Sequence, residues 1–210
     1  MQEPYSRTGF VRLCWEKLFC LIVLNILFLV CCVPVLTIPG AVTALSCACQ
    51  GALLEEPYLV RRFFRSFRAN FTPSIPLGLL FLVGPMALGY GCVFYYQSAQ
   101  GQGFLMALSI FCFVWVFLAF CMGVFAFQML ARVNLKVGAA VRNAFYLTFW
   151  QAKAVFGWML LSFGLMAVIW LLFPYSLPWI LLLGGSLPCF AAARGVLPVI
   201  DTMIVKEETV

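Results

Sequence analysis

The chain has no histidine among its 210 residues. That removes the commonest general base, the usual relay member of a catalytic triad and the commonest metal ligand. Acidic residues are scarce as well, seven Asp and Glu against thirteen Lys and Arg. The adjacent carboxylates Glu55 and Glu56 would not share a helix face, so they are poor partners for one substrate atom. No Gly-rich phosphate loop is present, and no ionisable residue lies deep in an apolar run, where a proton-coupled carrier normally needs one. Charged residues make up only 10% of the chain, against about 25% in a soluble domain. These absences exclude a soluble globular domain and an assembled acid–base or phosphate-handling site. The expectation is a non-enzymatic protein with no cofactor and no metal.

What is abundant is apolar. Hydrophobic residues account for 65% of the chain, and the mean hydropathy is +1.06. This is the composition of an integral membrane protein, here a single membrane domain over residues 1–210. Most of the ten cysteines sit inside apolar runs and are read as small, polarizable packing residues. Cys47 and Cys49 resemble half a metal site, but no second pair follows at ligand spacing. The net charge of +6 does not indicate nucleic acid, because the basic residues lie between apolar runs, where positive-inside topology places them.

Six runs qualify as spans: 18–38, 40–54, 75–96, 104–130, 154–173 and 177–199. The second is short and could be re-entrant. Charge parity favours a crossing. Arg7, Arg12 and Lys17 precede the first run, and Arg61, Arg62, Arg65 and Arg68 follow the second. An even number of crossings therefore separates the two groups if both are cytoplasmic. Arg132, Lys136, Arg142 and Lys153 lie between the fourth and fifth runs, and Arg194 and Lys206 at the end of the sixth and in the tail. Six spans with both termini inside put all the basic residues on one side, and the opposite turns carry no charge. A cleaved signal peptide ending near Val42-Thr43-Ala44 is the other reading of the first run, but an apolar stretch of about twenty residues is long for one. Asn25, the polar residue nearest the middle of a span, is read as interhelical glue.

Two segments are basic and aromatic together. In 57–71, Val60, Phe63, Phe64, Phe67 and Phe71 fall on one helical face and Arg61, Arg62, Arg65 and Arg68 on another. Pro57 suits the first helical position, and Glu55 and Glu56 the positive end of the helix dipole. The segment 136–151 has a similar character, with Arg142 three residues before Phe145. Both are expected to be amphipathic helices on the cytoplasmic leaflet, with phenylalanines in the acyl boundary and arginines on anionic headgroups. The fold class is thus all-α: a polytopic transmembrane helix bundle of about six spans in three hairpins, with two cytoplasmic interfacial helices. Pro34, Pro39 and Gly40 are expected to turn the chain at the outer surface, and Glu55, Glu56, Arg61 and Arg65 to form a charged inner corner. The pairs Ala87/Gly91 and Ala119/Gly123 have helix-packing spacing.

The order of these features resembles the YesL family of bacterial membrane proteins, whose defining domain is of unknown function. The resemblance is carried by Leu24-Asn25-Ile26-Leu27-Phe28-Leu29, by 31–41 (CCVPVLTIPGA) and by Thr43-Ala44-Leu45. It continues through Glu55-Glu56, Tyr58-Leu59, Arg61, 63–68 (FFRSFR) and Asn70-Phe71. It is dense over about residues 9–75. Members tend to carry an acidic residue where this chain has Arg62, so a local ion pair at that position does not carry over. The resemblance implies a bacterial cell-membrane protein with an accessory or regulatory role beside a carbohydrate ABC uptake system, its permease being the implied partner. The alternative is a small neutral-solute transporter or channel in its own right.

Overall fold

The computed structural model describes residues 15–99, 102–133, 137–150, 152–172, 175 and 177–208. Among these every regular element is helical: α1 (Leu18–Cys32), a 3-10 turn (Val35–Thr37), α2 (Ile38–Leu53), α3 (Leu59–Gly78), a π segment (Leu79–Val83), α4 (Gly84–Ser98), α5 (Gly103–Arg132), α6 (Val137–Trp150), α7 (Ala152–Leu171), α8 (Leu177–Leu183) and α9 (Ser186–Glu208). Four stretches are long and apolar enough to cross a membrane: Val35–Leu53, Leu59–Ser98, Gly103–Arg132 and Ile180–Thr202. A fifth is added if Val137–Trp150 and Val155–Ile169 count as one bent span. The chain is a multi-pass helical membrane protein.

The first apolar run yields a helix of only 15 residues. Pro34 disfavours helix in the residue before it and has no N–H to donate, and the chain turns over 33–37. The hydroxyl of Thr37 donates to the carbonyls of Cys31 and Pro34, which satisfies helix-end oxygens that lipid could not. Of the expected turn residues, only Pro34 lies in the turn. Pro39 and Gly40 belong to the first turn of α2, where they serve packing.

α2 is the axis of the bundle. Its sequence, IPGAVTALSCACQGAL, is mostly small residues, and thirteen of its sixteen are buried. Gly40 faces Phe67 and Phe71, and Gly51 faces Leu59 and Arg62. On other sides Cys49 Sγ lies 3.9 Å from the Ser186 carbonyl, and Gln50 Nε2 donates to the Gln128 side-chain oxygen at 2.6 Å. α3, α5 and α9 therefore all press on the element that seemed too short to span.

The segment at 57–71 differs from expectation. Pro57 lies before the helix, which starts at Leu59 with Tyr58 as its N-cap. The aromatic face is divided: Val60 and Phe64 are exposed, Phe67 and Phe71 are half-buried, and Phe63 turns into the protein. Phe63 is fully buried and packs in the core with Leu21, Leu24, Leu53 and Phe190. Phe63, Phe67 and Phe71 form an i, i+4, i+8 ladder, with ring centroids 6.5 and 5.8 Å apart, against α2. This segment runs on into the next span: Leu59–Ser98 is one helical stretch of 40 residues, about 60 Å at ~1.5 Å per residue. Pro73 and Pro76 lie inside α3, and the π segment follows directly, where the helical hydrogen-bond pattern is re-phased. The helix continues through both prolines.

The second basic segment behaves differently. α6 and the helix after it meet at 108°. α6 buries Ala140, Ala144, Leu147 and Thr148 and presents Arg142, Phe145, Tyr146 and Phe149 outward. Residues 136 and 151, at the ends of the expected helix, lie outside the described residues. α5 and α7 are joined by edge-to-face rings, Phe163 lying 5.2 Å from both Phe117 and Phe120, a favoured aromatic geometry. Of the small-residue pairs, Gly123 admits Phe81, whereas Gly91 meets only Tyr95 of its own helix.

Gly78 is where α3 touches Pro39 of α2. A Cβ there would collide with the proline ring, which cannot rotate away. Gly78→Ala is expected to destabilise the protein by roughly 1–3 kcal/mol, the usual cost of overpacking, read as a lower thermal midpoint in detergent. Gly84→Ala, which meets nothing within 4 Å, is the control and should not lower it.

Candidate functional site

The charged corner forms at the turn between α2 and α3. α2 ends in a Schellman arrangement: Glu56 N–H donates to Gly51 O at 2.9 Å, and Glu55 takes the left-handed position with φ 56°, where glycine is usual. Tyr58 is left-handed too, with φ 60°. This tight reversal sends the two carboxylates to different partners. Glu55 pairs with Lys17 at 3.8 Å, and Glu56 with Arg62. Arg62 therefore does form a local ion pair, made with the glutamate six residues earlier and not with an acidic neighbour. Its Nε also donates to Cys47 Sγ at 3.3 Å, so Cys47 and Cys49 face different neighbours.

Arg61, Arg65 and Arg68 point outward and are exposed. Among the described residues they make no ion pair. Beside them lies a depression of about 700 Å³ with Lys17, Glu55, Glu56 and Arg61 at its edge and Cys20 and Val23 in its wall. The structure thus brings Glu55, Glu56, Arg61 and Arg62 to one place and adds Lys17. Arg65 and Arg68 continue the basic face along α3. Pro34, Pro39 and Gly40 belong to the opposite end of α2. Arg7, Arg12 and Lys136 lie outside the described residues.

A second feature is built on Asn25, which is fully buried. The sixth apolar run is not one helix. It breaks at Gly184-Gly185 between α8 and α9, and Asn25 bridges the break. Its Nδ2 donates to the Ile180 and Leu181 carbonyls at 2.8 and 2.9 Å. Its Oδ1 accepts from the Gly185 and Ser186 N–H groups at 2.8 and 3.1 Å. One side chain from α1 thereby caps the end of α8 and the start of α9. The interhelical role expected of Asn25 is correct, but its target, a broken helix, was not read from the sequence. The Gly184-Gly185 pair was the available signal.

Behind the break lies a partly open cavity of about 640 Å³, walled by Phe28, Phe81, Phe120 and Ile180 with Ser46, Gln128 and Ser162 as polar members. Gly185 is needed there, because a Cβ would meet Phe28 and Asn25 Oδ1. At the far end of α5, Arg132 pairs with Asp201 of α9 at 3.2 Å. The guanidinium of Arg194 lies over the Trp158 ring, 5.4 Å from its centroid, a cation–π placement.

Asn25→Ala would remove the side-chain partner of four backbone groups, of which Ile180 O keeps the Gly184 N–H, and is expected to cost about 2 kcal/mol or more. Asn25→Asp keeps the acceptor and loses the donor, so its thermal midpoint should fall between those of Asn25→Ala and the parent. At the corner, Glu55→Gly relieves the left-handed strain. It should raise stability by up to about 1 kcal/mol, since its pair with Lys17 is exposed and worth little.

No curated protein and no solved structure matches the chain. Residues 21–92 match the family model described as a protein of unknown function, DUF624. The YesL-like residues from Leu24 to Phe71 all fall inside that match, which covers the N-terminal part of the chain and is a similarity to that family over those residues.

Proposed function

We propose that this protein is a non-enzymatic accessory subunit of the bacterial cell membrane that docks a partner through its charged corner. The observation that carries the reading is the exposed row Arg61, Arg65 and Arg68, which makes no ion pair among the described residues, beside a depression where Arg62 fixes the Glu56 carboxylate. Fixed charges beside free ones suit recognition, because the site is ordered before the partner arrives. The resemblance points to a carbohydrate ABC permease as that partner. Anionic headgroups are the other ligand of the same arginines.

The same reading includes topology. Six crossings with both termini in the cytoplasm keep the basic residues on one side. Leu59–Ser98 is about twice the ~30 Å of the hydrocarbon core, so its arginine-bearing half stands on the cytoplasmic side in line with the span. α6, with its outward aromatic stripe and its 108° bend, lies along the surface.

Neutral-solute transport is the second reading. The break between α8 and α9 lines a cavity, as interrupted helices do in carriers. Proteoliposome flux above an empty-vesicle control is the observation that would move this reading to the front.

Affinity capture from native membranes in mild detergent, with mass spectrometry, tests the docking reading. A stoichiometric permease complex is expected from the parent protein. The triple variant Arg61→Glu, Arg65→Glu, Arg68→Glu should reduce it at least tenfold with an unchanged thermal midpoint. Glu56→Ala would weaken the corner itself and is not the clean test. Equal capture by the triple variant, or a parent protein that emerges alone, would remove the corner from consideration.

A further inference from the structure

We propose that the cavity behind Gly184-Gly185 binds a single long-chain lipid with one uncharged polar end, taken laterally from the bilayer. The wall excludes the alternatives. No charged side chain lines it, so an ion or a charged headgroup would be buried without a counter-charge. A sugar would carry many hydroxyls into a space with few groups to meet them, and each unmet hydroxyl opposes binding. Its volume, about 640 Å³, is that of an ordinary small-molecule site, mostly apolar with few convergent polar groups.

The polar group that converges is Gln128. It is 98% buried, and its Oε1 is occupied by Gln50 Nε2 at 2.6 Å. Its own Nε2 reaches only the Cys189 carbonyl at 3.5 Å and the Cys189 Sγ at 3.9 Å, at the outer limit of hydrogen bonding. Gln128 lines the cavity, and a ligand oxygen there can replace one of these two long contacts of its amide. Ser162 Oγ donates to Pro188 O at 2.9 Å and keeps acceptor capacity for a ligand hydroxyl. One donor and one acceptor suit an alcohol or ester end on an apolar chain.

Two observations say why the space persists. Small residues line it at Gly123, Gly184, Gly185 and Ala192, and at Gly123 and Gly185 the missing side chain makes room for the wall residues Phe81 and Phe28. The hydrogen bonds of Asn25 hold α8 and α9 apart at the break. The helices that wall the cavity present apolar residues outward, Val30, Val83 and Val168 among them, so the surface around it is one that lipid covers. The inference is independent of the docking corner, which lies at the other end of α2.

The test is photolabelling of the full-length protein in phosphatidylcholine vesicles with a monoacylglycerol carrying a diazirine in its acyl chain, followed by peptide mapping. Label is expected on 120–128 and 180–192 and should be displaced by unlabelled monoacylglycerol. Val124→Trp, which fills the cavity, should cut it at least tenfold; Ala192→Leu serves if that variant does not fold. Gln128→Leu should weaken the monoacylglycerol probe several-fold and leave a diazirine alkane unchanged. Label spread over outward residues such as Leu80 and Phe113, without displacement and equal in the filled variant, would overturn the proposal. So would equal labelling by a sugar probe without an acyl chain.

Discussion

The fold depends on the enclosure of one helix of small residues. α2 is covered by α1, α3, α5 and α9 (cf. Leu21, Phe63, Gln128 and Phe190), and Ala41, Ala44 and Ala48 have no exposed surface. Lipid supplies little hydrophobic drive between helices, so association rests on close packing and interhelical hydrogen bonds. Small side chains let neighbouring backbones approach: Gly40 admits Phe71, and Gly51 admits Arg62. The covering of the phenylalanine ladder of α3 and the position of the charged corner follow from that contact.

The bundle is not packed to the same density throughout. Where α2 meets α3 it is tight. On the side of α8 and α9 the helix is broken, and the break leaves a cavity. A break inside a membrane protein exposes backbone groups that lipid cannot satisfy. Asn25 answers four of them with one side chain. The same residue thus makes the break tolerable and fixes the shape of the space behind it. The charged corner and the cavity are two separate features of one bundle, the first facing outward with unpaired arginines, the second inward with an amide.

Much of this was legible. The all-helical membrane class follows from charge scarcity and run length, and the likeness to the matched family model from residues 24–71. The corner follows from Glu55, Glu56 and the arginines, and the glue role from an isolated Asn25. What was not legible depends on tertiary contact. Periodicity shows that Phe63, Phe67 and Phe71 share a face, but not whether lipid or α2 covers it. A proline in a span reads as a break, yet Pro73 and Pro76 are accommodated while Gly184-Gly185 breaks the helix. Arg62 was compared with an expected acidic residue at its own position, and its partner Glu56 comes through the reversal of the chain at 54–58. Span length was equally deceptive: the 21-residue run at 18–38 holds a helix of 15 residues, and the short run at 40–54 holds the axis.

A leucine scan along α2, read as the yield of monodisperse protein and its thermal midpoint, tests the enclosure directly. Positions on different faces should be compared, Ala41 and Ala48 with Cys47 and Gly51. Protein on all sides predicts that leucine lowers both quantities at all four positions. A face that accepts leucine without loss would be lipid-facing, and α2 would then be a peripheral span and not the axis of the bundle.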